Sequence, residues 1–494
     1  MKRETQTLVR HTAIYTVGTL LRNVASIVML PIYTRHLNPS DYGVIELLST
    51  TVDLFAVVFG LRVGEAIFRY HASYSETKDK NEVISTALIM VAGLTLCGLL
   101  LLMGFGRDLS LLVFGSTKRA GEMRLYGITL PLSALVELAF ISLRAEQRPW
   151  SFVALSTLRL VLQLSFNIYF VVIEHLRVTG VIYSALLSGT IMFIVLAGYT
   201  MSRIGLRFSG SKARELAAFS WPLVLSAVAT FFFTSSDRYF LRHFANISEV
   251  GIYSLGYRFG YMLLAVGWAP FGAIWDSQRY VVLKSTDPQA VFNKTFVVVS
   301  VMLIFGALGI AVFAQDVLRV MSNYRFWDAY QVVPMIVTAY VFQAWTSFSN
   351  VGLLLHNKTM HGFYSTIAAA MVAALGYMIL IPRFGAIGAA VATLIGFAAR
   401  FAWIYSVSQS SYDMGLRWGK VVKISGLAMA IYLLSLFVPK YLAWAITVHA
   451  MEMLLFVGLL LVLPVFDPEE RARVVALIRN PRAVMAIFSG ADGS

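Results

Sequence analysis

Apolar residues run in long blocks along this chain, and polar positions gather in the short gaps between the blocks. Each block is about 20 residues long, the length that carries an α-helix across a roughly 30 Å hydrocarbon layer. Neither the period-2 alternation of half-buried strands nor the single apolar stripe of soluble helices dominates. The pattern predicts about fourteen spans, near residues 12–33, 42–68, 84–106, 125–143, 151–173, 179–201, 217–240, 250–276, 294–315, 331–355, 363–382, 385–408, 420–439 and 443–466. Spread over 494 residues this is about 35 per helix and loop, which leaves no room for a folded domain outside the membrane. The expected class is an all-α polytopic membrane protein.

Composition agrees, with 58% hydrophobic and 13% charged residues, about half the roughly 25% charge of soluble proteins. The 40 Lys and Arg against 26 Asp and Glu give a net charge of +14. In a soluble chain such an excess raises the question of nucleic acid; here the asymmetry of positive loops explains it, and no nucleic-acid partner is expected. With the amino terminus inside, about 23 basic residues fall on the cytoplasmic side and about 11 on the other, so both termini are expected in the cytoplasm. The first apolar run ends in Pro31-Ile32-Tyr33-Thr34-Arg35 without a cleavage site, and is read as a retained span. Cys97, the single cysteine, lies in an apolar run; it is expected to be a core residue, and no thiolate metal cluster is possible.

The two halves look related. Arg35-His36-Leu37 followed by Gly43-Val44-Ile45 has a counterpart in Arg242-His243-Phe244 followed by Gly251-Ile252-Tyr253, and Thr179-Gly180-Val181 maps onto Ile387-Gly388-Ala389, at an offset of 207 or 208. An offset of six spans preserves topology, so the expected repeat is parallel, with the substrate site between the halves. The expected domains are an N-lobe over 1–208, a C-lobe over 209–410, an added helix pair over 411–466 and a cytoplasmic tail over 467–494. In that tail Val474, Val475, Leu477 and Ile478 interleave with Arg471, Arg473, Arg479 and Arg482, as in an amphipathic helix on an anionic leaflet.

Six arginines fall inside predicted spans: Arg22, Arg62, Arg159, Arg238, Arg258 and Arg400. Each costs about 2.5–3.5 kcal/mol at the bilayer centre on insertion scales, so they should pair, snorkel or line a wet cavity. Arg62 has Glu65 one turn away and Arg238 follows Asp237, which favours ion pairs. Arg22 sits near mid-depth with no local acid, and Arg258, Arg159 and Arg400 are similarly isolated along the chain. A guanidinium fork there suits phosphate oxygens; the alternative is pairing with Glu46, Asp53, Glu137 or Glu452 from other helices. Glu46 and Asp53 are seven apart on one face, where they can relay protons, bind a coupling cation or brace an arginine. Tyr261 and Trp268 lie on one stripe of span eight, and either stack on sugar rings or pack helices; Gly256 and Gly260 mark close packing and Pro270 a kink. No P-loop, zinc-helix or other catalytic signature occurs, so no catalytic residue, metal or cofactor is expected and the chain is not read as an enzyme.

The stretch Met29-Leu30-Pro31-Ile32-Tyr33-Thr34-Arg35-His36-Leu37 with Asp41-Tyr42-Gly43 resembles the first hairpin of polysaccharide transporter family flippases. Ser236-Asp237-Arg238-Tyr239-Phe240-Leu241 with Glu249-Val250-Gly251-Ile252-Tyr253-Ser254 resembles the seventh and eighth spans of the same family. The resemblance implies two six-helix lobes, as in multidrug extruders and peptidoglycan-precursor flippases. It further implies export of undecaprenyl-pyrophosphate-linked oligosaccharide across a bacterial inner membrane by alternating access, for O-antigen, lipopolysaccharide or another surface polysaccharide. The implied partners are the lipid-linked glycan, the phospholipid bilayer and a glycan polymerase, with coupling to a proton or sodium gradient. Two rivals remain at this level: a multidrug-type cation antiporter, and a membrane glycan polymerase or ligase.

Overall fold

The computed structural model describes residues 28–438 and 442–462. Arg22, most of the first predicted span and the basic tail lie outside the described residues. Every described element is helical, as a lipid-embedded backbone requires, because a helix satisfies its N–H and C=O groups within one segment. In chain order the helices are α1 (28–36), α2 (Pro39–Phe59), α3 (Val63–Ser73), α4 (Thr77–Gly104), α5 (Gly106–Phe114), α6 (Ala120–Gly127), α7 (Thr129–Ala145), α8 (Pro149–Asn167) and α9 (Arg177–Ile204). They continue as α10 (Gly210–Ser235), α11 (Asp237–Phe244), α12 (Ile247–Met262), α13 (Ala269–Val282), α14 (Pro288–Met321), α15 (Val333–Ser349), α16 (Val351–Leu355), α17 (Met360–Ser411), α18 (Trp418–Ser435) and α19 (Leu442–Val462). Among the described residues ten helices, or eleven counting one broken pair, are long and apolar enough to cross a membrane. The chain is a multi-pass membrane protein.

Local chemistry explains where the helices break. Asn38 caps α2 by accepting from the Asp41 amide while Asp41 accepts from the Asn38 amide, with Pro39 in the first turn. The predicted second span divides after Gly60, where Leu61 and Arg62 take left-handed φ values of 50° and 52°. In the predicted eighth span a π-helical segment, Leu263–Trp268, separates α12 from α13 just before Pro270. α17 holds 52 residues, about 78 Å at 1.5 Å each, too long for one crossing. It is two spans joined at Gly385, whose φ of 53° suits glycine, three residues after Pro382. The gaps between predicted spans at 107–124 and 316–330 are mostly helical: α5 and a 3₁₀ turn fill the first, and the second holds the end of α14 and a 3₁₀ segment. Cys97 is exposed on α4 rather than in the core.

The chain forms two compact units. Unit 1 comprises 28–257, 318–332 and 359–400. Val63, Ile67, Ile84, Val91, Leu138 and Leu216 interlock there across α3, α4, α7 and α10. Unit 2 comprises the described parts of 258–317, 333–358 and 401–494, and its core is aromatic. Trp275 stacks on Phe348 at 4.4 Å between ring centres, and Trp345 packs against Phe296 and Trp418 while its indole N–H donates to Ser300 at 3.0 Å.

Within unit 1 the offset of 208 has a physical counterpart. Gly43 and Gly251 pack backbone to backbone: a Cβ added at Gly43 would lie 3.1 Å from the Gly251 nitrogen, and one at Gly251 would lie 3.0 Å from the Gly43 nitrogen. Two residues earlier in each segment, an acid fixes a helix start. Asp41 accepts from the Arg177 guanidinium at 2.6 and 2.9 Å, and Glu249 accepts from the Ala386 amide at 3.1 Å. Arg177 and Gly385, themselves 208 apart, share the left-handed conformation at φ 51° and 53°.

Candidate functional site

A buried polar region of unit 1 forms where α10 gives way to α11. A turn at Ser236 interrupts the helix, and the next two residues, Asp237 and Arg238, are 1% and 9% exposed. Charges buried to this degree persist only when paired and hydrogen-bonded. Asp237 accepts from its neighbour's guanidinium at 2.9 Å, from the Arg238 amide at 2.8 Å and from the Tyr253 hydroxyl of α12 at 2.7 Å. Thr393 of α17 sits between two tyrosines, with the Tyr253 hydroxyl at 3.1 Å and the Tyr377 hydroxyl at 2.9 Å. The Arg238 guanidinium also lies 3.9 Å from Glu46 of α2 and over the Tyr257 ring at 4.7 Å. One turn above Glu46, the Thr51 hydroxyl meets that of Tyr239 at 3.1 Å.

This network ties α2, α11, α12 and both arms of α17 together within one unit. A guanidinium holds its charge at any accessible pH, so its removal would take from the buried Asp237 its charged partner, which costs about 3–5 kcal/mol for a buried pair. Counting Asp237, Glu46 and Asp53 against Arg238, acids outnumber bases when all are ionised. Asp53 differs from the others in being exposed, with its carboxylate accepting from Ser49 at 3.4 Å. The arrangement can brace helices and attract a cation; it lacks a nucleophile paired with a base.

The remaining predicted residues are dispersed. Arg62 pairs with Glu65 at 2.6 Å. Arg159 of α8 lies 3.9 Å from Glu137 of α7, so the arginine that lacks a local acid in sequence meets one from the neighbouring helix. Arg400 lies over the Phe233 ring at 5.7 Å. Arg258, half-buried on α12, and Tyr261, which is exposed and edge-on to Tyr340 at 6.5 Å, belong to unit 2. Trp268 sits in the π-helical segment against Phe271. Trp275, beyond that segment, is buried. Gly260 serves close packing: a Cβ there would come within 2.8 Å of the Tyr340 ring. Glu452 pairs with His449 rather than with an arginine, at 3.0 Å. Tyr377, Thr393, Asp316 and His449 are polar positions that pattern reading did not select. An apolar cavity between α4, α7 and α9, lined by Leu88, Leu135, Ala139, Phe193 and Leu196, contains no charged side chain and is separate from the polar network.

Long apolar helices with buried charge networks define a polytopic membrane protein, and its fold is similar to that of solved transporters. It aligns with the lipid II flippase MurJ in its inward closed conformation at a TM-score of 0.72, over 91% of this chain and 98% of that one, with 12% identity. A multidrug resistance MATE family transporter in its inward-facing conformation aligns at 0.63, over 79% and 96%, with 14% identity. The family model described as "Polysaccharide biosynthesis protein" matches residues 8–274, more than half of the chain. The chain belongs to that family. A relative, the "Probable low-salt glycan biosynthesis flippase Agl15" of Haloferax volcanii, is 24% identical over 377 residues, which is 74% of this chain and 76% of that protein.

Proposed function

We propose that the protein is a flippase that moves undecaprenyl-pyrophosphate-linked oligosaccharide from the cytoplasmic to the periplasmic leaflet of a bacterial inner membrane, supplying surface polysaccharide or lipopolysaccharide such as O-antigen. The observation that carries this reading is membership of the polysaccharide biosynthesis family in a chain whose fold aligns with MurJ over nearly its whole length. The physical task is to pass sugars and a diphosphate through hydrocarbon while the lipid tail stays in the bilayer. Lobes 1–208 and 209–410 would alternate access around the headgroup, with residues 411–466 as an added helix pair. Arg22, Arg258, Arg159 and Arg400 are the proposed diphosphate contacts, and Tyr261 and Trp268 the proposed sugar-stacking rings. Glu46 and Asp53 are the proposed acids for coupling to a proton or sodium gradient. The positive-loop bias supports cytoplasmic termini, and a glycan polymerase is the proposed downstream partner. Transport of this kind needs no covalent change in the substrate, which is consistent with a chain that is not an enzyme.

The test is deletion of the gene in its host. The expected result is loss of a surface polysaccharide with accumulation of its lipid-linked precursor on the cytoplasmic side. Intact surface glycan with loss of resistance to organic cations would replace this reading with the antiporter, a reading favoured only by the fold shared with the MATE transporter.

A further inference from the structure

The apolar cavity of unit 1 has the shape of a groove in the side of three spans. It starts at Ser85 of α4 and at Gly205 and Leu206, just past α9, and runs inward along α9 to Phe193. From Ile204 to Phe193 the helix rises about 16 Å, close to one leaflet's share of a roughly 30 Å hydrocarbon layer. Space exists there because small side chains face it from all three helices: Ala92 of α4, Ala139 of α7 and Ala197 of α9. The volume is about 140 Å³, comparable with the roughly 150 Å³ apolar cavity that stays dry and takes up benzene. Ile89 and Met201 on its wall lie inside spans and are 36% and 45% exposed, so the open side faces hydrocarbon.

The mouth of the groove is polar and basic. Ser85, on its wall, accepts from the Arg207 amide at 2.7 Å, and Thr86 accepts from the Ser209 amide at 3.2 Å. These bonds hold the connection after α9 against α4 and place the exposed Arg207 at the opening. Beside it, Glu146 at the end of α7 is shared by Arg203 of α9 and Arg148, the latter at 3.3 Å. Three arginines and one glutamate leave the rim positive. We propose that this groove binds an anionic phospholipid of the bilayer, with one acyl chain lying between α4, α7 and α9 and the headgroup on Arg207. Length and charge carry the assignment: the groove is one leaflet deep, as an acyl chain is, and it is short for an undecaprenyl tail, while the rim attracts a phosphate. The chain gives the wall the contact atoms that an empty groove lacks, so the lipid braces the three helices. The inference needs no assumption about the transported substrate.

The test is photolabelling of the full chain in detergent micelles by phosphatidylglycerol that carries a diazirine on its acyl chain, with the labelled peptides read by mass spectrometry. Saturable labelling is expected on the stretches 85–92, 135–139 and 193–206. Ala197→Leu, which fills the groove, should lower that labelling severalfold and leave the exposed Met451 and Leu454 of α19 labelled as before. Should that variant not fold, Ala92→Leu takes its place. Arg207→Gln should weaken labelling by phosphatidylglycerol about five-fold and leave that by a phosphatidylcholine probe of the same chains unchanged, as the loss of one arginine at an anionic headgroup predicts. Groove labelling unaltered by the filling variants would overturn the proposal, as would equal labelling of the wild type by the two headgroups. Displacement of the label by undecaprenyl phosphate at a lower concentration than by unlabelled phosphatidylglycerol would give the groove to an isoprenoid tail, and would also overturn it.

Discussion

The clusters around Arg238 and around His449 each set one nitrogen base near two carboxylates, yet they differ in how the base meets its acids. Arg238 reaches Asp237 at 2.9 Å and Glu46 at 3.9 Å and keeps its charge unconditionally. His449 lies 3.0 Å from Glu452 and 3.5 Å from Asp316, and hydrogen-bonds the first of the two. The first is a permanent strut across four elements of unit 1. The second brings together two helices of unit 2, α14 and α19. A buried cluster therefore has to be read by which acids its base bonds as well as by its composition.

The comparison breaks most readily at the permanent cation. Arg238→Ala should destabilise unit 1 by about 3–5 kcal/mol, because the buried Asp237 loses its charged partner, and the loss should appear as depleted folded protein in the membrane. Adding Asp237→Asn should recover part of it. Arg238→Lys keeps the charge but cannot bridge Asp237 and Glu46 with one fork, and a loss of about 1.5–3 kcal/mol is expected in thermal unfolding.

A packing contrast sharpens the picture without touching charge. Gly43→Ala or Gly251→Ala would push a methyl into the opposing backbone and should cost about 1–3 kcal/mol, read as a lower thermal midpoint. Gly93→Ala, where nothing lies within 4 Å of the added carbon, should be neutral or gain about 0.5–1 kcal/mol through helix propensity. The smallest effect belongs to Arg62→Ala. Its pair with Glu65 is about half exposed at both ends, so a change of no more than about 0.5 kcal/mol is expected.

Most apolar blocks were readable because they lie on helices of spanning length, with 250–276 broken by its π-helical segment, and Arg62–Glu65 and Asp237–Arg238 were readable because the partners are neighbours in sequence. His449 and Glu452 are neighbours too, three apart; in the sequence Glu452 reads as a candidate partner for an arginine and His449 carries no signal of its own, and Asp316 falls at a predicted span boundary although α14 continues to Met321. Arg159–Glu137 and Arg177–Asp41 join different helices, for which periodicity carries no signal. Tyr253, Tyr377 and Thr393 read as ordinary span residues, because a hydroxyl in an apolar helix becomes informative only once its partner is in place. The offset of 208 was the one long-range signal in the sequence, and it leads to the contact of Gly43 with Gly251 and to the paired left-handed turns at Arg177 and Gly385.

The central claim is that this chain carries a lipid-linked glycan across a bilayer, and reconstitution tests it most directly. Purified protein is placed in liposomes whose undecaprenyl-pyrophosphate-linked oligosaccharide begins in the inner leaflet, and appearance of sugar outside is followed with a membrane-impermeant glycan-cleaving enzyme. The account predicts that the glycan becomes accessible in protein-containing vesicles and stays protected in empty ones, with no accompanying transport of an organic cation. Protected glycan in both, together with protein-dependent movement of the cation, would contradict it.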